Sequence, residues 1–293
     1  MRYLAFLFFP LALSAQTLSG VVDIHAHADP DSNVRPRSID ALDLAKLAQA
    51  RGMRAVVFKN HHEPTTSLAY LVRKAVPGIE VFGGIVLNRP VGGVNPVAVE
   101  RMTTMKGGWG RVVWMPTNDA ENQVRFEKAN RAFVPVASNG QLRPEVKEVL
   151  ALIAKHKLTL ATGHSAPEES LLIIREARRL GIERMVVTHA MSVSVNMSVP
   201  QMQEAAKLGA YVEFAYNILI GSDPAHTIPE YAAAIRAVGP DHSILSSDLG
   251  QAGNPLHPDG LAAFFKALRE QGFTEADLDR MAKRNPAALL GLP

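Results

Sequence analysis

The segment Gly20-Val21-Val22-Asp23-Ile24-His25-Ala26-His27 joins an apolar run to two histidines. Its β-branched residues predict a strand. Because side chains on a strand alternate, Asp23, His25 and His27 are expected to point to one face. Two imidazoles that converge at a strand end form half of a site for a divalent transition metal such as zinc. A chance His-x-His among ten histidines is the alternative.

Short β-rich runs of this kind recur along the chain, and amphipathic helical patterns separate them. The predicted strands are Gly20–His25, Arg54–Lys59, Glu80–Leu87, Arg111–Met115, Leu158–Gly163, Arg184–His189, Ala210–Ala215 and Ser243–Ser247. The predicted helices cover residues 38–52, 67–75, 97–105, 144–155, 167–180, 200–208, 229–238 and 260–271. Eight such units favour an α/β fold, a (β/α)8 TIM barrel of parallel strands, over an open sheet. No glycine-rich dinucleotide fingerprint supports the open sheet.

Composition sets the broad class of the protein. Of the 293 residues, 47% are hydrophobic and 20% are charged, as in a globular protein with a substantial core. One barrel domain over residues 16–293 is the simplest organisation. The net charge of +3 and the lack of a basic block give no electrostatic case for binding nucleic acid. Because the chain has no cysteine, a metal would need His, Asp, Glu or a modified side chain.

The amino-terminal stretch MRYLAFLFFPLALSAQ has the pattern of a secretory signal peptide. Arg2 precedes an apolar run, and small residues follow at Ser14 and Ala15. The apolar run is shorter than the about 20 residues that a membrane-spanning helix needs. We therefore expect removal of residues 1–15 and an exported protein, periplasmic or secreted, without stable membrane insertion. An uncleaved anchor is the alternative.

Most of the candidate functional residues fall where a predicted strand ends. They are His25 and His27 on the first strand, Lys59 on the second with His61 and His62 just beyond it, His164 on the fifth, His189 on the sixth and Asp248 on the eighth. The carboxyl ends of barrel strands converge on one mouth, so these residues are expected to become neighbours. A single histidine at a strand end is usually a hydrogen-bonded rim residue. Four of them together with an aspartate are hard to explain in that way.

Histidines and an aspartate at the ends of strands one, five, six and eight resemble the amidohydrolase superfamily of metal-dependent hydrolases. The resemblance covers essentially the whole mature chain. It implies that His25, His27 and Asp248 hold the more buried metal, and that His164 and His189 hold the more exposed one. The stretch KNHHEPT, which begins at Lys59, suggests an uncharacterised branch of the superfamily. Fold and metal site transfer by such a resemblance, but the substrate does not.

The fourth strand departs from the superfamily pattern. Many binuclear members bridge their metals there with a carboxylated lysine or a glutamate, whereas Arg111–Met115 offers neither. Lys59 is the nearest substitute, because a buried lysine flanked by two cations loses its proton and the neutral amine can take up carbon dioxide to form a bridging carbamate. Alternatively, Lys59 binds a substrate carboxylate, or the site holds one metal and His189 only positions substrate. His61 and His62 are candidate substrate-binding residues, with His61 preferred.

This site predicts hydrolysis of a small-molecule substrate. Zinc, with manganese as the alternative, lowers the pKa of bound water, and Asp248 would take the proton from the attacking water and deliver it to the leaving group. Amides, lactones and other ester-like bonds are the expected substrates. The alternatives are a one-metal deaminase, decarboxylase or isomerase, and a binding protein on a catalytically decayed barrel. Assembly into homo-oligomers is left open.

The segment Thr117–Arg143 follows the fourth strand, and long loops at that face carry specificity. Its cations could contact an anionic substrate, but a solvated helix in which Glu121 and Glu127 balance them is favoured. These cations are Arg125, Lys128 and Arg131. Glu213, in the seventh strand, points either into the barrel beside the ligands or outward.

Overall fold

The computed structural model describes residues 18–33, 36–221 and 224–293. Eight parallel strands form the barrel in the order of the sequence, and short contacts between the first and last strands close it. The strands are β1 (Val22–Ala26), β2 (Ala55–Phe58), β3 (Glu80–Val86), β4 (Gly110–Trp114), β5 (Thr159–Ala161), β6 (Met185–Val187), β7 (Tyr211–Ala215) and β8 (Ser243–Ser246). The backbone N–H of Asp248 donates to the carbonyl of His25 over 2.9 Å at this closure. The predicted barrel is therefore confirmed.

All eight predicted helical segments are present, and three further α-helices occur in the described residues. The helices are α1 (Ala41–Ala50), α2 (Thr66–Ala75), α3 (Pro96–Thr103), α4 (Glu121–Phe126), α5 (Pro144–His156), α6 (Pro167–Arg179), α7 (Val199–Lys207), α8 (Ile228–Val238), α9 (His257–Glu270), α10 (Glu275–Asp279) and α11 (Asn285–Leu290). The three further helices are α4, α10 and α11. Side-chain caps mark the starts of α1, α3, α8 and α10, as where the Asp40 side chain accepts from the backbone N–H of Asp43. α9 begins three residues earlier than predicted because Pro258 occupies its first turn.

Strand β1 does not alternate regularly. Its pairing with β2 shifts register between Asp23 and Ala26. Ile24 packs in the interior apolar cluster of the barrel, yet the ring of His25 also faces inward, 6.5 Å from that of Trp114. Asp23 does not join the histidines at the mouth, because its Oδ1 accepts the backbone N–H groups of His25 and Ser247. Between these two positions β1 contains one residue more than β2. This extra residue lets the chain turn two imidazoles toward the mouth, above an apolar interior.

The carboxyl-terminal segment closes the opposite end of the barrel. Leu289 and Leu290 of α11 pack into the interior cluster, and Thr159 Oγ1 donates to the carbonyl of Leu289 over 2.7 Å. Neither α10 nor α11 is predicted from the sequence, since each is too short to show a helical period. With this end filled by side chains, only the carboxyl ends of the strands are free to build a site.

The predicted signal peptide lies outside the described residues, so its cleavage stays a prediction. In the part of the chain that the structure describes, every helix falls short of the length and apolarity that crossing a membrane requires.

Candidate metal centre

Three of the predicted ligands meet at the mouth of the barrel. Oδ1 of Asp248 lies 3.0 Å from Nε2 of His25 and 3.0 Å from Nε2 of His27. One ligand atom from each residue falls within 4.8 Å of the others, and all three residues are buried. Donor atoms this close, on an enclosed set of side chains, form the kind of cluster that a divalent ion stabilises.

A second pair of imidazoles lies beside this group. Nε2 of His164 and Nε2 of His189 are 3.1 Å apart, and the rings of His25 and His189 stack with their centres separated by 5.7 Å. Burial lowers the pKa of His164 well below its usual value and lowers that of His189 to about 4, so both rings are neutral at pH 7. Neutral imidazoles are the form that binds metal.

The backbone is strained at two of these positions. Asp248 has a φ of 50° and His189 a φ of 24°, in the left-handed region that residues with a side chain rarely occupy. Each residue follows a barrel strand, and a hydrogen bond from its backbone N–H holds it in place. The N–H of His189 donates to Glu213 Oε2 over 2.7 Å, and that of Asp248 donates to the carbonyl of His25. The strain turns both side chains toward the same space, as in sites built for chemistry.

Glu213 points into the barrel, one of its two predicted orientations, and contacts the predicted ligands His25 and His189. Its Oε1 accepts from Nδ1 of His25 over 3.0 Å and from Oγ of Ser246 over 2.7 Å. Burial raises the pKa of Glu213, but His25 outweighs burial, and the carboxylate stays ionised. Because His25 donates to Glu213 through Nδ1, its Nε2 faces Asp248. In metal sites a carboxylate partner commonly orients a histidine ring in this way.

The environment of His25 Nε2 shows whether a cation fits between His25 and Asp248. Its Nε2 is buried and makes no hydrogen bond, because the 3.0 Å contact with Asp248 lacks hydrogen-bond geometry. Burial lowers the pKa of His25, but Asp248 and Glu213 outweigh it and raise the pKa to about 9. A proton therefore sits where a divalent ion would bind, and metal binding would release it. The nitrogen and oxygen donors, without thiolate, suit zinc or manganese.

Arg37 is a residue of this site that sequence reasoning missed. Its Nη2 donates toward Nδ1 of His27 over 3.3 Å, and the Asp31 carboxylate holds the guanidinium at 2.5 Å. An acceptor role for Nδ1 puts the proton of a neutral His27 on Nε2, toward Asp248. To bind metal through Nε2, His27 would need its proton on Nδ1 instead, and it would then no longer accept from Arg37. The only sequence signal was a charged pair in the loop after β1, at the mouth of the predicted barrel.

Lys59 lies where the sequence places it, directly after β2, and is almost wholly buried. Burial lowers the pKa of its ammonium to about 8, although Asp248 and Glu213 act in the opposite direction. Most Lys59 side chains therefore carry a proton at pH 7, and a minor fraction is neutral. Only the neutral amine can react with carbon dioxide.

His61 and His62 lie at the rim beside the ligands. The His61 ring stacks on that of His27 with the centres 5.0 Å apart, and its Nδ1 is 2.9 Å from Oγ1 of Thr117. The amide of Asn88 donates to the same Thr117 oxygen and to the carbonyl of His61, so a buried network fixes the ring. His62 is half-buried, with its ring centre 6.2 Å from that of His61.

The segment after β4 contains a helix and a hairpin rather than only a loop. α4 covers Glu121–Phe126, and a two-stranded hairpin joins Ala137–Ser138 to Gln141–Leu142. Arg125 pairs with Glu121, and Arg131 pairs with Asp119 and Glu127. The ion pairs agree with the favoured prediction that acidic residues balance these cations. The helix itself ends at Phe126, so Lys128 and Arg131 lie beyond it. A cavity of about 480 Å³ lies between α4, the hairpin and the start of α6.

Comparison with solved structures places the barrel among known folds. The organophosphorus hydrolase from Deinococcus radiodurans superposes with a TM-score of 0.63, covering 94% of both chains at 16% identity. A phosphotriesterase-like lactonase variant from the same organism gives a TM-score of 0.64 over 94% of this chain and 97% of that chain, also at 16% identity. The phosphotriesterase homology protein from Escherichia coli, solved with phosphate in its active site, gives 0.58 over 92% and 98% at 18% identity.

The chain thus has the (β/α)8 fold of these proteins, with a cluster of metal-type donors at its mouth. Residues 20–213 match the family described as Family of unknown function (DUF6282), and the chain belongs to that family. No curated protein matches the chain significantly.

Because His257 is buried beside the site, we expect it to make the stability of the protein depend on pH. It begins α9, is buried beside the backbone of His27 and Leu249, and burial lowers its pKa to about 4. An unfolded histidine titrates near 6.5. The stability that a neutral His257 contributes is therefore present above about pH 6.5 and is lost as the pH falls toward 4.

Urea unfolding of metal-free protein between pH 6 and 4.5 measures this contribution. Wild type should lose stability more steeply than His257→Leu, by up to about 1.4 kcal/mol per pH unit. His189, whose pKa is also lowered, contributes equally to the pH dependence of stability in both proteins. The difference between the two slopes therefore isolates His257. Equal slopes would show that His257 is not held neutral by the fold.

Proposed function

We propose that this protein is a metal-dependent hydrolase of lactones, amides or other ester-like bonds. One observation carries the proposal: Asp248 and four imidazoles, from β1, β5, β6 and β8, converge at the carboxyl ends of the barrel strands. Active sites of such barrels lie at this end. Structural neighbours bearing the names organophosphorus hydrolase and lactonase support ester-like substrates.

Two ions would be held by separate sets of residues. His25, His27 and Asp248 would hold the more buried ion, and His164 and His189 the more exposed one, with Lys59 between them as a carbamate. When bound, the ions supply hydroxide at neutral pH and polarise the oxygen of the scissile bond.

The protein's own residues move the proton and hold the substrate. His25 and His27 hold the pKa of Asp248 well below its usual range, although burial opposes this, so its carboxylate is ionised. Its Oδ1 would take the proton of the attacking water. It would then pass the proton to the leaving group. His61, at the rim and fixed through Thr117, is positioned to bind a substrate oxygen, with His62 beside it.

A substrate screen tests the proposal directly. The purified protein, loaded with zinc or manganese, should hydrolyse at least one member of a panel of lactones, amides, cyclic imides and phosphoesters. Activity should disappear on chelation and return with metal. If metal-loaded protein leaves the whole panel intact but deaminates, decarboxylates or isomerises a related compound, the hydrolase assignment is wrong.

Lys59→Met separates the carbamate from the other roles of Lys59. Methionine fills a similar volume but cannot react with carbon dioxide, so the variant should retain about one ion instead of two, as measured by elemental analysis. Wild-type protein equilibrated with ¹³C-bicarbonate should show a carbamate carbon signal that the variant lacks. Full metal content in Lys59→Met would rule out the bridging role and favour contact with substrate.

We also propose that the protein is exported. The support is the signal-like pattern of residues 1–15, and amino-terminal sequencing of the protein from a cell envelope or culture fraction tests it. Mature protein beginning near Gln16 is the expected result, and protein that still begins at Met1 would contradict it.

A further inference from the structure

His164 is the one proposed ligand whose orientation depends on the segment after β4. Its Nδ1 lies 2.9 Å from Oε1 of Gln123 in α4, while its Nε2 faces His189. The backbone is held from the same helix, because the Asn122 amide donates to the carbonyl of His164 over 3.0 Å and to that of Ser194 over 2.7 Å. Two consecutive residues of α4 therefore hold both the ring and the main chain of His164.

The amide of Gln123 can face only one way. Its Nε2 donates to Oε1 of Glu127 over 2.7 Å, and a carboxylate accepts hydrogen bonds but does not donate them. The amide oxygen must therefore face His164, and Nδ1 of His164 must be the donor. This arrangement leaves the lone pair of His164 on Nε2, on the side of His189 and the other ligands.

A chain of charged groups fixes Glu127 in turn. Its Oε2 accepts from Nη2 of Arg131 over 2.8 Å, and Nη1 of Arg131 donates to Oδ1 of Asp119 over 2.9 Å. Asp119 is anchored by the backbone N–H of Arg89. An ordered path thus runs from a surface ion-pair network through Gln123 to the metal centre.

We infer that Gln123 is the positioning residue that fixes the tautomer and ring orientation of His164, so that Nε2 binds the more exposed ion. This inference rests on the proposed metal-dependent function. Gln123 accepts from Nδ1 of His164 as Glu213 accepts from Nδ1 of His25, but Gln123 lies on a helix in the segment after β4. Although β4 itself offers no ligand, the segment that follows it supports one.

The experiment compares Gln123→Leu with wild type by two readouts. The first is the ¹⁵N NMR signal of His164, assigned with His164→Asn, in protein as purified and after zinc loading. Wild type should show a protonated Nδ1, and Gln123→Leu should show a mixture of tautomers before loading. The second is zinc affinity by calorimetry, in which Gln123→Leu should weaken one of two binding events about 10–100-fold and leave the other unchanged.

A double variant separates positioning from simple damage to α4. Gln123→Glu alone places two carboxylates together. With Glu127→Gln added, the new amide of residue 127 can donate to the carboxylate of residue 123, which still presents an acceptor to His164. The double variant should recover wild-type zinc affinity. Gln203→Leu, which removes an exposed glutamine bonded to the carbonyl of Ala237, is the matched control and should change neither readout.

Failure of this inference and failure of the proposed function give different results. If wild type binds no zinc, the proposed function fails. The ¹⁵N NMR signal of His164 in protein as purified then still shows whether Gln123 fixes its tautomer. If His164 in wild type carries its proton on Nε2, or if Gln123→Leu binds both ions as tightly as wild type, the inference is overturned.

Discussion

Asp248→Asn is expected to lower kcat/KM about 10²–10⁴-fold while much of the metal is retained. Asparagine keeps the size of the side chain and one oxygen, but it cannot accept the proton of the attacking water. The Asp248 Oδ1 shared by His25 and His27 is the group that would do so. Turnover of the best substrate from the panel and elemental analysis of the same preparation measure the two effects separately.

Asp241→Asn is the matched control for that substitution. Asp241 is a solvent-exposed aspartate with a long contact to Arg280, so its replacement should leave turnover and metal content unchanged. An Asp248→Asn variant that is as active as this control would remove Asp248 from the mechanism. Loss of metal together with activity would instead make Asp248 chiefly a ligand.

Gly250→Ala is expected to destabilise the protein by roughly 2–4 kcal/mol, through backbone strain and overpacking. Gly250 has a φ of 124°, and a Cβ there would lie 2.1 Å from the carbonyl oxygen of His27. The backbone cannot move away easily, because the carbonyl of Gly250 accepts from Ser38 and the N–H of His27 donates to Leu249. The variant should therefore also displace His27 and weaken metal binding.

Gly253→Ala, in the same loop, separates steric clash from backbone conformation. Gly253 also has a positive φ, 92°, but a Cβ there meets no atom within 4 Å. Its replacement should cost only the strain of that conformation, about 1 kcal/mol. Urea unfolding of the two variants and wild type gives both values. Equal losses of stability would show that the approach of Gly250 to His27 is not a tight constraint.

The barrel could be predicted because its signals are local. Each strand is a short apolar run, each crossover helix has its own period, and prolines and glycines mark the helix ends. Convergence of the strand ends then places His25, His27 and Asp248 together although 223 positions separate the first and last of them. The inward orientation of Glu213 follows from alternation in β7, where the flanking Val212 and Phe214 pack outward.

The supporting contacts could not be predicted because they join distant, irregular segments. Gln123 and His164 are 41 residues apart, and nothing in the local sequence of either marks the hydrogen bond. Arg37 reaches His27 from a loop without regular period. The register shift in β1 belongs to its pairing with β2, which a strand pattern alone does not contain.

Metal content of the purified protein tests the central claim most directly. Elemental analysis after loading with zinc or manganese and removal of free metal should find about two ions per chain, and His25→Ala should lose at least one of them. Wild-type protein that retains no more than a trace of any divalent metal after this treatment would contradict the account.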